Sequence, residues 1–181
     1  MNKLILGIAG EIASGKGTVT QYIINEHKAN SYRFSDMLRD ILKRLYTEHS
    51  RENMQKLSTA IRENYGEDIM AKVMMEDVKN DNHDIVIVEG IRRLADILYL
   101  KKLSGYKLVY IEADMEKRYE RIIHRDENPD DKGKTFKEFS QEHEQESELQ
   151  IKDLKNYADF VLDNNGEFKD LYKQIDEIVK K

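Results

Sequence analysis

Residues 4–18 constrain the fold more than any other part of this 181-residue chain. Residues 4–9 form a short, continuous apolar run, which is typical of a strand buried on both faces of a parallel sheet. The next nine residues read Gly-Glu-Ile-Ala-Ser-Gly-Lys-Gly-Thr, and sequence of helical character follows them. A strand that passes through a glycine-rich turn into a helix predicts a β-α-β unit, in which the neighbouring strand is parallel.

Apolar runs recur along the chain and alternate with helical periodicity. The predicted strands are residues 4–9, 31–34, 84–89, 108–111 and 160–162. The predicted helices are residues 19–27, 35–46, 51–64, 67–79, 94–103 and 115–125, followed by a charged helix and a C-terminal helix. This order predicts an α/β fold of three layers, in which a five-stranded parallel sheet carries helices on both faces. Because no repeat or linker interrupts it, we expect residues 1–181 to form a single domain.

Composition excludes several classes of protein. The sequence holds no cysteine, which rules out disulfides and thiolate metal sites and suits a reducing, cytoplasmic location. The net charge is −5, with acids and bases interspersed, so a role in coating nucleic acid has no electrostatic support. No apolar stretch approaches the roughly 18 residues of a membrane span, and we expect no membrane partner.

The glycine-rich segment has the chemistry of a phosphate-binding loop (P-loop). Glycines let backbone N–H groups turn inward around phosphate oxygens, and the following helix N-terminus adds positive potential. Lys16 would reach the β- and γ-phosphates of ATP, and the Thr18 hydroxyl would lie near Mg²⁺. The alternative is an ordinary glycine-rich turn with a solvated Lys16. The predicted ATP-binding residues here are Gly10, Ala13, Ser14, Gly15, Lys16, Gly17 and Thr18.

Gly-Lys-Gly-Thr at this place resembles the nucleoside monophosphate kinases, adenylate kinase above all. Residues 34–39, Phe-Ser-Asp-Met-Leu-Arg, resemble the segment that opens the acceptor-binding helix of adenylate kinase. The resemblance implies that Arg39 grips the acceptor phosphate, unless it only pairs with Asp36 or Asp40. Asp36 itself either caps a helix or lies beside the acceptor hydroxyl, as a similar aspartate is thought to do in dephospho-CoA kinases.

A second resemblance to the same kinases lies at residues 89–93, Glu-Gly-Ile-Arg-Arg, directly after the clearest buried strand. It implies that Glu89 holds a water of the Mg²⁺ shell and that Arg93 is a second arginine on the acceptor phosphate. Arg92 stands where adenylate kinase has proline, so the backbone there is expected to differ. Without such a role, Glu89 would simply end a strand.

The predicted helix 115–125 ends in Arg121 and Arg125, four residues apart on one face. Arg-Ile-x-x-Arg before a polar loop is similar to the start of a kinase lid, which implies that Arg121 contacts the adenine of ATP and Arg125 its phosphates. Salt bridges with nearby glutamates are the alternative. The polar loop at about 126–134 would be a short lid without the further arginines of adenylate kinase.

Residues 157–166, with Ala-Asp near the start and Asn-Asn-Gly at the end, resemble the ending of dephospho-CoA kinases. The resemblance therefore implies an ATP-dependent phosphotransferase with Mg²⁺, acting as a monomer or homodimer. Its expected acceptor is a small nucleotide, a ribo- or deoxyribonucleoside monophosphate. Two alternatives stay open: a dephospho-CoA kinase-like enzyme, or an ATP-binding switch protein that is not a kinase. Lys16, Asp36, Arg93 and Arg125 are the predicted catalytic residues.

Overall fold

The computed structural model describes residues 3–124, 133, 135–142 and 146–180. In this part of the chain five parallel strands form one sheet in the order β2-β3-β1-β4-β5. The strands are β1 (Leu4–Ala9), β2 (Asn30–Arg33), β3 (Ile85–Glu89), β4 (Tyr106–Glu112) and β5 (Phe160–Asp163). The five-stranded parallel sheet predicted from the sequence is confirmed.

Helices connect successive strands. They are α1 (Lys16–His27), α2 (Asp36–Arg44), α3 (Arg51–Tyr65), α4 (Ile69–Asn80), α5 (Leu94–Ile97), α6 (Met115–His124), α7 (Phe136–Glu142), α8 (Glu146–Asp153) and α9 (Phe168–Val179). The longest helical connection among the described residues, α2 to α4, lies between β2 and β3 at the β2 edge of the sheet.

The strand register brings the functional loops to one edge of the sheet. Ala9 lies opposite Tyr110, and Arg33 lies opposite Glu89. Since all strands run parallel, the loops after β1, β2, β3, β4 and β5 all leave at the carboxyl edge. Chain order reverses direction beside β1, where β3 lies on one side and β4 on the other, and such a point opens the crevice in which α/β proteins bind ligands.

Side-chain alternation divides the core into two apolar clusters. Ile5 and Val86 belong to one cluster, and Leu6 and Ile87 to the other; each of these side chains is at most 2% exposed. Because successive strand residues point to opposite faces, continuous apolar strands need cover on both sides. The helices provide that cover, as the sequence predicted.

A buried carboxylate ties the sheet edge at β2 to the end of α4. Asp81 accepts hydrogen bonds from the Asn30 amide (2.6 Å), the Tyr32 hydroxyl (2.8 Å) and the backbone and ring nitrogens of His83 (2.6 and 2.9 Å). Burial acts to raise the pKa of Asp81, but these donors outweigh it and hold that pKa well below its usual range. Burial and the contact with Asp81 raise the pKa of Tyr32 to about 12.

Two predicted helices differ from the structure. Residues 94–103 form the short α5 and then a 3₁₀ turn (Leu100–Lys102), because Ile97 and Leu100 both face the core and a three-residue spacing suits that tighter helix. The charged helix predicted after residue 134 comprises α7 and α8, with residues 143–145 outside the described part. None of the described helices is long and apolar enough to cross a bilayer.

Candidate functional site

The loop between β1 and α1 folds around its own backbone. Gly10, Ala13 and Gly15 have positive φ angles of 148°, 59° and 105°, which turn the chain sharply before α1 begins. A Cβ on Gly10 would lie 2.7 Å from the Ser14 hydroxyl, so the turn leaves no room for a side chain there. Lys16 donates to the carbonyls of Gly10 (2.7 Å) and Glu11 (2.8 Å), so its ammonium lies over the loop. Gly15 caps α1 without a side chain, which leaves the first N–H groups of the helix for an anion.

Asn164, in the loop after β5, supports the phosphate loop from behind. It is 3% exposed, and its Nδ2 donates to the Ser14 carbonyl (2.7 Å). The backbone carbonyl of Asn164 accepts a hydrogen bond from Nη2 of Arg121 on α6 (2.8 Å). Asn164 belongs to the Asn-Asn-Gly ending of residues 157–166, and the structure shows that it contacts the phosphate loop itself.

Arg118 on α6 is a second support that the sequence did not single out. Its guanidinium is 3% exposed and contacts the Glu11 carboxylate (3.2 Å), the Ile12 carbonyl (3.4 Å) and the Ala113 carbonyl (3.0 Å). Its charge also lies over the Phe139 ring on α7, 5.8 Å from the centroid. The phosphate loop is therefore joined to the helix that follows the predicted lid. Helical spacing places Arg118 with Arg121, but only the tertiary structure shows which of them is buried.

A cavity of about 790 Å³ opens beside Lys16 at the carboxyl edge of β2 and β3. It is a positively charged space among the described residues. Its cationic lining side chains are Lys16, Arg33, Arg51, Arg62, Arg92 and Arg93, and its acidic ones are Glu89 and Asp96.

Glu89 reaches this cavity from the end of β3. Its Oε2 accepts from Nε of Arg33 (2.7 Å), whereas its Oε1 is buried without a hydrogen-bond partner among the described residues. A buried, unpartnered carboxylate oxygen beside the phosphate loop fits a donor from the water shell of Mg²⁺. No group of three acidic or histidine side chains in the described residues forms a protein-only metal cage.

Arg93 enters the cavity in a fixed orientation. Asp96, one turn further in α5, accepts from the Arg93 backbone N–H (3.2 Å) and from its Nε (3.1 Å), and also from the Arg92 backbone N–H (2.9 Å). Asp96 is 9% exposed, so these contacts are largely shielded from solvent. The structure thus brings Lys16, from the glycine-rich loop, to one cavity with Glu89 and Arg93, both from residues 89–93.

Asp36 and Arg39 do not line this cavity. Arg39 contacts the Ser35 hydroxyl and Oδ1 of Asp36 (3.3 Å), which is the alternative pairing raised by the sequence. Ser35, not Asp36, occupies the cap position of α2, and Asp36 Oδ2 accepts from the backbone N–H of Arg33 (2.7 Å). Asp36 borders a neighbouring cavity with Asp40 and Asp77, a surrounding unsuited to an anionic acceptor.

Thr18 does not line the cavity beside Lys16 either. With Gly17 it borders a third cavity between α1 and α9, together with Tyr22 and Tyr172, whose rings stack at 4.0 Å. The two residues predicted to hold Mg²⁺, Thr18 and Glu89, therefore face different cavities. The extra residue between the lysine and the hydroxyl explains this, because one residue turns a helix by about 100°.

Arg121 lies beside the loop after β5, with Nη1 buried and without a partner among the described residues. Arg125 lies outside the described residues, as does the predicted lid at 126–134 apart from Gly133. Their predicted roles on the ATP phosphates and as a lid stay predictions.

Comparisons with known proteins agree with this architecture. A family model described as "AAA domain" matches residues 7–137. The chain is 27% identical over 179 residues to the UPF0200 protein of Methanococcus maripaludis, covering 98% of this chain and 96% of that one. It is 28% identical over 181 residues to a UPF0200/UPF0201 protein of Archaeoglobus fulgidus, and there it covers 98% of this chain but 55% of the relative.

Solved structures share the fold at low sequence identity. A shikimate kinase from Bacteroides thetaiotaomicron superposes with a TM-score of 0.57 at 12% identity, covering 98% of this chain and 97% of that one. A gluconokinase from Sinorhizobium meliloti superposes with a TM-score of 0.59 at 15% identity, covering 98% and 92%. The predicted fold of the P-loop kinases is confirmed at this level.

Proposed function

The chain belongs to the AAA domain family and has a P-loop kinase-like fold, and on this premise we propose that it is a phosphotransferase. It transfers the γ-phosphoryl group of Mg-ATP to a small nucleotide-type acceptor. The observation that carries the proposal is the cavity that joins Lys16, Glu89 and Arg93. A protein that only bound ATP would need the phosphate loop but not a second, cationic space beside it.

The donor side follows from the loop geometry. ATP phosphates bound in the loop would replace the Gly10 and Glu11 carbonyls as partners of Lys16, which is already held at the loop. Bound Mg²⁺ would supply positive charge between the phosphates, and Glu89 is the carboxylate placed to hold its water shell. Arg121, whose Nη2 donates to the backbone carbonyl of Asn164, is the residue that we assign to the base of ATP.

The acceptor side is the cavity lined by Arg93. Its guanidinium, oriented by Asp96, is a bidentate donor for an acceptor phosphate. Lys16 and Arg93 would together offset the charge that spreads over the phosphoryl oxygens during transfer. For this reaction positioning and electrostatics supply nearly all of the catalysis.

A ribo- or deoxyribonucleoside monophosphate is the acceptor that we propose first. A dephospho-CoA kinase-like reaction is the second candidate, because residues 157–166 resemble the ending of those enzymes. Arg39 would serve the acceptor only by leaving Asp36. We therefore assign the acceptor phosphate to Arg93, which lines the cavity beside Lys16.

The test is transfer from radiolabelled Mg-ATP to a panel of ribo- and deoxyribonucleoside monophosphates and dephospho-CoA. We expect transfer to at least one of them. Arg93→Met should lower kcat/KM for that acceptor by about 100-fold while leaving the affinity for Mg-ATP unchanged. The control Arg44→Met removes an exposed arginine at the end of α2. Slow ATP hydrolysis with transfer to no acceptor would reject the proposal and favour an ATP-binding switch.

A further inference from the structure

One face of α3 lines the cavity from Arg51 to Arg62. Arg51, Gln55, Ser58 and Arg62 follow one another at intervals of four, three and four residues, which places them in one row on the helix. Eleven residues of helix span about 16 Å. One wall of the cavity therefore follows α3 over about that distance, with polar side chains along it.

The charges in the cavity do not balance. Arg33 pairs with Glu89 (2.7 Å) and Arg93 pairs with Asp96 (3.1 Å). The remaining guanidiniums, on Arg51, Arg62 and Arg92, have no carboxylate partner within the described part of the chain. Lys16 and Arg93 are enough to bind one phosphate at the carboxyl end of β3. Arg51, Arg62 and Arg92 therefore exceed what a single phosphate requires.

Arg62 is the most informative of the three because it is partly buried. Its Nη2 approaches the sulfur of Met70 (3.6 Å), a weak acceptor, and its Nε is buried without a hydrogen-bond partner among the described residues. A charged guanidinium whose Nε loses water and gains no acceptor is costly. An anionic ligand group placed beside it would remove that cost.

We propose that the acceptor carries a second phosphate, remote from the reacting one, and that Arg62 binds it. This inference rests on the proposed phosphotransferase function and narrows its substrate class to bis-phosphorylated nucleotides. The reacting phosphate or hydroxyl lies near Lys16 and Arg93, and the second phosphate lies along α3. Gln55 and Ser58 face the part of the acceptor between them.

The test measures binding, so that it does not depend on turnover. A non-hydrolysable Mg-ATP analogue fills the donor site, and calorimetry compares the four adenosine, guanosine, cytidine and uridine 5′-monophosphates with their 3′,5′-bisphosphates. We expect at least one bisphosphate to bind about tenfold or more tightly than its monophosphate. Arg62→Met, which keeps an unbranched apolar chain but removes the charge, should reduce this ratio to about twofold or less while monophosphate binding is retained.

Lys56→Met is the matched control, because it removes one positive charge from the exposed face of the same helix. It should preserve the bisphosphate preference. Equal binding of both members of every pair, or binding of neither, would overturn the proposal. So would an Arg62→Met variant that weakens both members equally, since Arg62 would then bind the single phosphate or the base. Bisphosphate preference without any transfer from ATP would instead count against the phosphotransferase function alone.

Discussion

At the scale of single residues, Gly15 carries the tightest constraint in the site. Its φ of 105° is unfavourable for a residue with a side chain, and an added Cβ would lie closer to Asn164 Nδ2 than non-bonded atoms approach. We expect Gly15→Ala to lower the free energy of unfolding by about 2 kcal/mol or more. Urea denaturation followed by circular dichroism measures this.

Gly17→Ala is the control for that substitution. Gly17 has no atom within 4 Å of an added Cβ and no positive φ, so alanine should leave stability unchanged or raise it by up to about 1 kcal/mol. A Gly15→Ala variant as stable as Gly17→Ala would contradict the close approach of Asn164 to the loop.

Some site residues could be predicted from the sequence because they stand next to a strand end. Lys16 begins the helix after β1, and Glu89 is the last residue of β3. The order of a parallel sheet already places both at one edge. Arg62 and Arg118 could not be predicted in the same way. Both lie on charged amphipathic helices, and only the packing of those helices decides which arginine is buried and which is solvated.

At the scale of elements, α6 stabilises the phosphate loop through Arg118. Removing one partner of a buried ion pair leaves the other charge uncompensated, so Arg118→Met should cost about 3 kcal/mol of unfolding free energy. Thermal and urea unfolding measure the loss. Lys152→Met, at an exposed position on α8, should change stability by less than about 0.5 kcal/mol. If both variants were equally stable, Arg118 would not support the loop.

The contact of Asp81 between β2 and the end of α4 predicts that the free energy of unfolding depends on pH. The folded pKa of Asp81 is below its unfolded value of about 3.9, so its contribution is fully present above that pH and is lost as the pH falls through the folded pKa. Asp81→Asn should cost about 1–3 kcal/mol at pH 7 and less at pH 3.

Urea denaturation between pH 3 and 7 tests that difference. Asp84→Asn, an exposed aspartate three residues further on, is the control and should follow the wild type throughout. A constant gap between the wild type and Asp81→Asn across the whole range would contradict the lowered pKa of Asp81.

At the scale of the whole molecule, the sequence was sufficient to predict the sheet but not the cavity proposed to bind the acceptor. Continuous apolar runs and one glycine-rich turn predict parallel strands, and five strands in the order β2-β3-β1-β4-β5 confirm them. The acceptor cavity depends on how α2 to α4 fold over the edge at β2. Their local pattern predicts three helices but not which faces meet, so it indicates Arg39 and does not single out Arg62.

In the proposed function, Lys16 acts in transfer of the γ-phosphoryl group from Mg-ATP to a second small molecule. The most direct measurement is the rate of that transfer, to the preferred acceptor, in the wild type and in Lys16→Ala. We expect Lys16→Ala to lose about 100-fold or more in kcat/KM, with Lys43→Ala on α2 as an unaffected control. A Lys16→Ala variant that transferred within about twofold of the wild-type rate would contradict that role of Lys16.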